Sequence, residues 1–255
     1  MKSPAGLQRI LGCIGHFIRE ESAMVTRVRL FCLVFATTMA LLVGLPSPGD
    51  AAVAKPKVGQ CHQLGAPLRA VPCSTNHNLQ TVAVAFSSTS LAGLSNDQAY
   101  ELGYRLCLPK WAKALGRSAV VREQTAYDLY WLLPSRAQVA AGVRWVRCDV
   151  ALRAGKRLAP LPKHRLFRPV IGARIDNFER RCLTGRFSVT TCTRKHVFRS
   201  IKAFIISTAS YPTTQQVLAL ADRKCPGRTN QVVWPSEDEW AHGNHVAVCY
   251  DRTGK

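Results

Sequence analysis

Acidic residues are scarce in this chain: 15 Asp and Glu stand against 35 Lys and Arg in 255 residues, a formal net charge of +20. No C-x2-C pair, G-x-S-x-G elbow, P-loop or dinucleotide fingerprint occurs. The usual sequence marks of a zinc ribbon, a serine hydrolase, an NTPase and a nucleotide-dependent oxidoreductase are therefore missing, and no cofactor or metal is expected. After residue 54 no apolar run is long enough to span a bilayer. The run before it has no cysteine at its end, because Cys32 lies inside it, so lipid attachment there is not expected.

That run extends from Leu30 to Leu45, after Arg27 and Arg29 and before Pro46, Pro48, Gly49 and Ala52-Val53-Ala54. A basic n-region, an apolar h-region and a small-x-small site are the three parts of a secretory signal peptide, with cleavage expected after Ala54. The alternative is an uncleaved membrane anchor, the run being somewhat shorter than the roughly 20 residues a spanning helix needs. Met24 offers a second start, so residues 1–23 carry no fold argument.

Eight of the ten cysteines follow residue 54 and fall into two matching sets: Cys61, Cys73, Cys107, Cys148 and Cys182, Cys192, Cys225, Cys249. Other residues repeat with them. His77 and His196 each stand four residues after the second cysteine of their set, and Gln98 and Gln216 each stand nine before the third. Leu102 pairs with Leu220, Arg105 with Arg223, Pro134-Ser135 with Pro235-Ser236, and Gly142 with Gly243, each at equal offsets. An even number of cysteines behind an export signal predicts disulfides. The pairing proposed is Cys61 with Cys73, Cys107 with Cys148, Cys182 with Cys192 and Cys225 with Cys249. Each short loop is worth roughly 3 kcal/mol and the Cys107 to Cys148 loop roughly 4 kcal/mol on the chain-entropy model.

The expected fold is α+β: two tandem small disulfide-stapled modules, each a few antiparallel strands with one helix. Residues 1–54 are the extension and signal segment, 55–150 the first module, 151–176 a basic Pro-containing linker and 177–251 the second module. In the first, strands are expected near Val58 to Gln60, over Thr81 to Phe86 and over Val143 to Val150. A helix begins after Ser95, Asn96 and Asp97 and ends or kinks at Pro109. The second repeats this with strands over Phe187 to Thr191, Phe198 to Ile206 and His245 to Tyr250, and a helix over Thr213 to Lys224. Modules of this size enclose small cores and depend on covalent staples.

Val58-Gly59-Gln60-Cys61, Val71-Pro72-Cys73 with His77, and Pro235-Ser236, Trp240, Gly243 and Val248-Cys249 together resemble the septum formation family of secreted and membrane-anchored actinobacterial proteins. The resemblance covers both modules. Asn78 and Val197 follow the histidines where that family usually carries an acidic residue, and Val139 stands where it has tryptophan. The resemblance implies a link to cell division and envelope growth, and no defined catalytic chemistry.

His77 and His196 are the candidate functional residues, since Cys and His at i and i+4 twice over look like halves of a metal or catalytic site. The plainer account is that each imidazole holds a disulfide-bearing loop through a backbone hydrogen bond. Zinc or a cysteine nucleophile would each need a free thiolate. His242 and His245 lie beside the acidic run Glu237, Asp238 and Glu239, which reads as a solvated turn. Trp131, Trp145, Trp234 and Trp240 are expected to cover the disulfides rather than stack on sugars, whereas Trp111 lies on a basic segment.

The positive charge should attract polyanions. Export separates the chain from nucleic acid and leaves anionic cell-wall polymer or lipid headgroups, with Arg153, Lys156, Arg157, Lys163, Arg165 and Arg168 as candidate contacts. The expected function is that of an exported, non-enzymatic envelope protein binding such polymers, or envelope or divisome proteins. The alternative is a wall-processing or thiol-dependent enzyme using a Cys/His pair.

Overall fold

The computed structural model describes residues 55–65, 68–116, 118–163, 175–227, 229 and 231–253. The predicted signal segment, the choice between Met1 and Met24, and Arg165 and Arg168 lie outside them. In chain order the elements are β1 (Cys61–Gln63), β2 (Arg69–Val71), β3 (Leu79–Phe86), α1 (Asn96–Leu115), α2 (Ala119–Arg122), β4 (Tyr127–Leu132), α3 (Arg136–Ala140), β5 (Trp145–Ala154) and β6 (Arg157–Ala159). There follow β7 (Arg181–Leu183), β8 (Val189–Thr191), β9 (Phe198–Ile205), α4 (Thr214–Lys224), β10 (Gln231–Val233), α5 (Glu237–Ala241) and β11 (Val246–Arg252).

The strands form two antiparallel sheets with one topology. The first has the order β2-β1-β3-β5-β4, with β6 added to β5, and the second the order β8-β7-β9-β11-β10. Each half is therefore an antiparallel sheet crossed by one long helix, which is the α+β architecture expected. The four disulfides are Cys61–Cys73, Cys107–Cys148, Cys182–Cys192 and Cys225–Cys249. In each half one bridge closes the opening hairpin and the other ties the long helix to the closing strand.

The repeated residues outside the cysteines have local reasons. Ser95 with Gln98, and Thr213 with Gln216, form reciprocal capping boxes that start α1 and α4. Ser135 with Gln138, and Ser236 with Glu239, do the same for α3 and α5. Gly142 and Gly243, at φ 80° and 87°, then turn the chain into β5 and β11 through a left-handed conformation that glycine adopts without steric cost.

Several expected boundaries move. The first strand starts at Cys61 rather than Val58, since Lys57 to Gln60 is a turn closed by Gln60 N–H to Lys57 O at 3.2 Å. β8 starts at Val189 rather than Phe187, which sits at φ 58° in the preceding turn. Pro109 does not end α1. Cys107, Trp111 and Leu115, on either side of it, all point into the core and hold the helix together through the missing hydrogen bond. Trp111 is thus a core residue, 7 % exposed, and not part of a basic surface. β2, β4, β7 and β10 are strands beyond those the sequence predicts. The segment read as a linker from Ala151 begins as the end of β5 and turns at Gly155 into β6.

The described residues belong to one compact unit, Lys55–Lys255. Its halves meet through a backbone bridge between Thr125 and Arg180 and through Ala126 N–H to Glu179 O and Arg181 N–H to Gln124 O. An ion pair of 2.9 Å joins Arg181 to Glu123. One apolar cluster gathers Trp111, Leu115, Tyr127, Val150 and Leu152 between α1 and the first sheet. Another gathers Phe204, Ile206, Val217, Ala221 and Trp240 between α4 and the second. Among the described residues no helix is long and apolar enough to cross a membrane.

Candidate functional site

His77 and His196 occupy equivalent turns after the opening hairpins. The Nδ1–H of His77 donates to Thr75 O at 2.9 Å, and that of His196 to Arg194 O at 2.6 Å. A carbonyl oxygen only accepts, which places the proton on Nδ1 in both rings. His77 is 1 % exposed, and its own carbonyl accepts from Leu161 N–H. Its Nε2 has no hydrogen-bond partner among the described residues. Each imidazole thus hydrogen-bonds a backbone carbonyl two residues before it, in a stretch that follows a disulfide cysteine.

Cys182, Cys192 and His196 are the grouping of close potential metal-ligand atoms among the described residues. The two sulfurs are bonded to each other. A disulfide sulfur is not the thiolate that zinc or a nucleophilic mechanism needs, so this cluster is a stapled turn.

The sequence did not single out a buried polar cluster on the first sheet, on the face away from α1. His62 (β1), Thr81 (β3), and Arg147 and Asp149 (β5) form a closed ring of hydrogen bonds there. The Thr81 hydroxyl donates to Asp149 Oδ1 at 2.9 Å, and Arg147 Nε–H donates to Asp149 Oδ2 at 3.0 Å. His62 Nε2–H donates to Thr81 Oγ1 at 3.3 Å, while its Nδ1 accepts from Arg147 Nη1–H at 3.4 Å. All four residues are buried. Burial, helped by the Arg147 charge, lowers the His62 pKa to about 4, so the ring is neutral. Burial raises the Asp149 carboxyl, against the pull of Arg147 and Thr81. The signal available in sequence was Arg147 and Asp149 two apart among Val146, Cys148 and Val150, which puts both on one face.

The basic candidates separate. Arg153 is held by Asp128 at 2.7 Å, so its charge is already answered. Lys156 and Arg157 are exposed at the β5–β6 turn, and Lys163 is exposed beyond β6. Lys156 and Arg157 thus lie on one hairpin, and Lys163 follows it four residues after β6.

The tryptophans do not act alike. Trp240 is buried, stacked on His245 with centroids 4.0 Å apart, and Trp234 packs on the same cluster. Trp131 lies against Gly103 of α1, where any Cβ would run into its indole. Beside it Tyr100 and Tyr104 make edge contacts, with centroids at 5.1 and 6.1 Å. His242 bridges the halves: its Nδ1–H donates to Asp238 O, its Nε2 lies 2.8 Å from Glu101, and its ring rests on Tyr104. Glu101, then the backbone of Asp238, raise its pKa above the ordinary value.

No curated protein and no solved structure matches this chain. A family model described as "Septum formation" matches residues 58–231, a span that runs across both halves.

Proposed function

The chain belongs to the septum formation family, and from that membership we propose that it is an exported, non-enzymatic protein of an actinobacterial cell envelope, built from two tandem copies of one module. The observation that carries the reading is the pairing of all eight cysteines after residue 54 into four disulfides at equivalent places in the two halves. Such a frame persists in an oxidising compartment and is lost in a reducing one. It also leaves no thiolate among these eight, and both candidate histidines hold backbone carbonyls, which supports a binding protein over the thiol-dependent or wall-processing enzyme.

The ligand proposed is an anionic envelope component, a phosphate-bearing wall polymer or lipid headgroups, held by Lys156, Arg157 and Lys163. The exposure of Lys156 and Arg157 on one hairpin and of Lys163 beyond it, with the net charge of +20, supports this assignment. The test is sedimentation of the purified chain with isolated cell wall and with phosphatidylglycerol vesicles at rising salt. Binding is expected to fall as salt screens the contacts and to weaken on combining Lys156→Glu, Arg157→Glu and Lys163→Glu. Binding that ignores both salt and these changes excludes the assignment.

A further inference from the structure

The basic hairpin is not the molecule's only exposed feature of marked chemistry. Where α1 of the first half meets α5 of the second, the surface is aromatic and acidic, the reverse of the chain as a whole. Tyr100 is 47 % exposed and stacks along α1 on Tyr104 with centroids 6.0 Å apart, and both lean on Trp131. Around them stand Glu101 on α1, Asp128 on β4, and Asp238 and Glu239 on α5, with Glu237 next to Asp238 in the first turn of that helix. Glu239, Asp238, Glu101 and Asp128 all act on the Tyr100 hydroxyl, adding to the upward push of burial.

Part of this charge is already used inside the fold. Asp128 holds Arg153, Glu239 caps α5 through Ser236, and Glu101 meets His242 while its side chain remains 58 % exposed. Glu237 and Asp238 are exposed and make no side-chain hydrogen bond or ion pair among the described residues. The surface exists only because the halves meet. In the second half the positions of Tyr100, Tyr104 and Trp131 are held by Leu218, Asp222 and Val232, counted from the matching cysteines.

We infer that this seam, formed by Tyr100, Glu101 and Tyr104 with Trp131, Glu237 and Asp238, docks a basic polypeptide segment of a partner protein through its Lys and Arg side chains. Charge complementarity selects that occupant. An anionic polymer is repelled here, although it is drawn to the rest of the chain. An inorganic cation lacks converging donors, since these carboxylates are spread over separate elements and form no close ligand cluster. Spaced carboxylates between ring faces suit spaced ammonium and guanidinium groups, each gaining an ion pair and a cation–π contact. The inference is independent of the anionic-ligand reading, because it concerns a different surface of opposite sign.

The probe is a short fluorescent peptide alternating lysine and glycine, titrated at low salt against the purified chain and followed by anisotropy. Combining Tyr100→Ala with Asp238→Lys is expected to weaken it about tenfold or more. Glu237→Lys alone should weaken it less, and Lys156→Glu with Arg157→Glu should not weaken it at all. The three seam positions changed here are exposed, so folding is retained. Equal affinity across the variants, or no binding by the unaltered chain, overturns the inference. Neutral chito-oligosaccharides displacing the peptide overturn it in favour of a glycan face. Self-association that disappears in the Tyr100→Ala, Asp238→Lys variant overturns it in favour of a second copy of this chain.

Discussion

The two halves share one strand order and one disulfide pattern, yet fill the sheet face away from the long helix in opposite ways. In the first half, that face holds the ring of His62, Thr81, Arg147 and Asp149. In the second, the equivalent positions are Leu183, Ser200, Val248 and Tyr250, the register following from Cys61 opposite Gln80 and Cys182 opposite Arg199. Thr81 faces Asp149 across the ladder as Ser200 faces Tyr250. Leu183, Val248 and Tyr250 join an apolar cluster with Ala203 and Val246, packed by Ala119 and Val120 of α2 from the other half. The frame therefore tolerates either a satisfied polar network or an apolar core, and what fixes it is shared: capping boxes, glycine turns and cross-links.

Removing the shared part should have the largest effect. Replacing both helix-to-strand bridges with alanine, Cys107 and Cys148 together with Cys225 and Cys249, removes roughly 7 kcal/mol on the chain-entropy model, which is the whole stability of many domains. Loss of the cooperative thermal transition is the expected reading. A transition near that of the unaltered chain would mean that the cores alone carry both halves.

The next change attacks the difference itself. Asp149→Ala leaves Arg147 buried without its partner and should cost about 3–5 kcal/mol in denaturant unfolding. Converting the ring to the second half's solution, with His62→Leu, Arg147→Val and Asp149→Tyr together, should recover most of that loss, since a buried ionic cluster and a packed apolar one are often close in free energy. If the triple change is as damaging as the single one, the two faces are not interchangeable.

A pH series sharpens the same contrast. The folded His62 pKa of about 4 lies below the ordinary imidazole value of 6.5, so the unfolded chain binds the extra proton first. The stability tied to neutral His62 is present in full above about 6.5 and is lost as pH falls towards 4, to a limit of roughly 3 kcal/mol. Asp149, raised by burial, slopes the other way. The difference between the unaltered chain and His62→Gln isolates the histidine, and it should shrink as acid is added. A difference that stays constant from pH 7 to 4 removes the imidazole from the account.

The smallest effect concerns the helix faces. Gly103 gives way to the Trp131 indole, whereas the second half has Ala221 opposite the smaller Val232. Gly103→Ala should cost about 1–3 kcal/mol through overpacking. Joined to Trp131→Val, it should cost less than the two single changes added together. Strict additivity in denaturant titrations would separate the two positions.

The repeat was legible in sequence because cysteines, caps and turn glycines act locally and leave their mark at fixed offsets. Ser135 with Gln138 and Ser236 with Glu239 also carry the capping-box signature, so α3 and α5 are legible there, where the matched Pro-Ser pairs and the acidic run by themselves suggest only a turn. Trp111 looked surface-like beside Lys110 and Lys113 because burial depends on the helix continuing past Pro109, and tertiary packing decides that. The ring of His62, Thr81, Arg147 and Asp149 draws on three strands with other helices and strands between them in sequence, and no local pattern announces such a closure. The acidic aromatic seam was invisible for the same reason: Glu101 and His242 lie 141 residues apart and meet only when the halves dock.

Non-reducing peptide mapping of the purified chain tests the shared frame most directly. Linked peptides should join 61 to 73, 107 to 148, 182 to 192 and 225 to 249, with every crosslink confined to its own half. A peptide tying a cysteine of the first set to one of the second, or an alkylated free thiol among the eight, would contradict it.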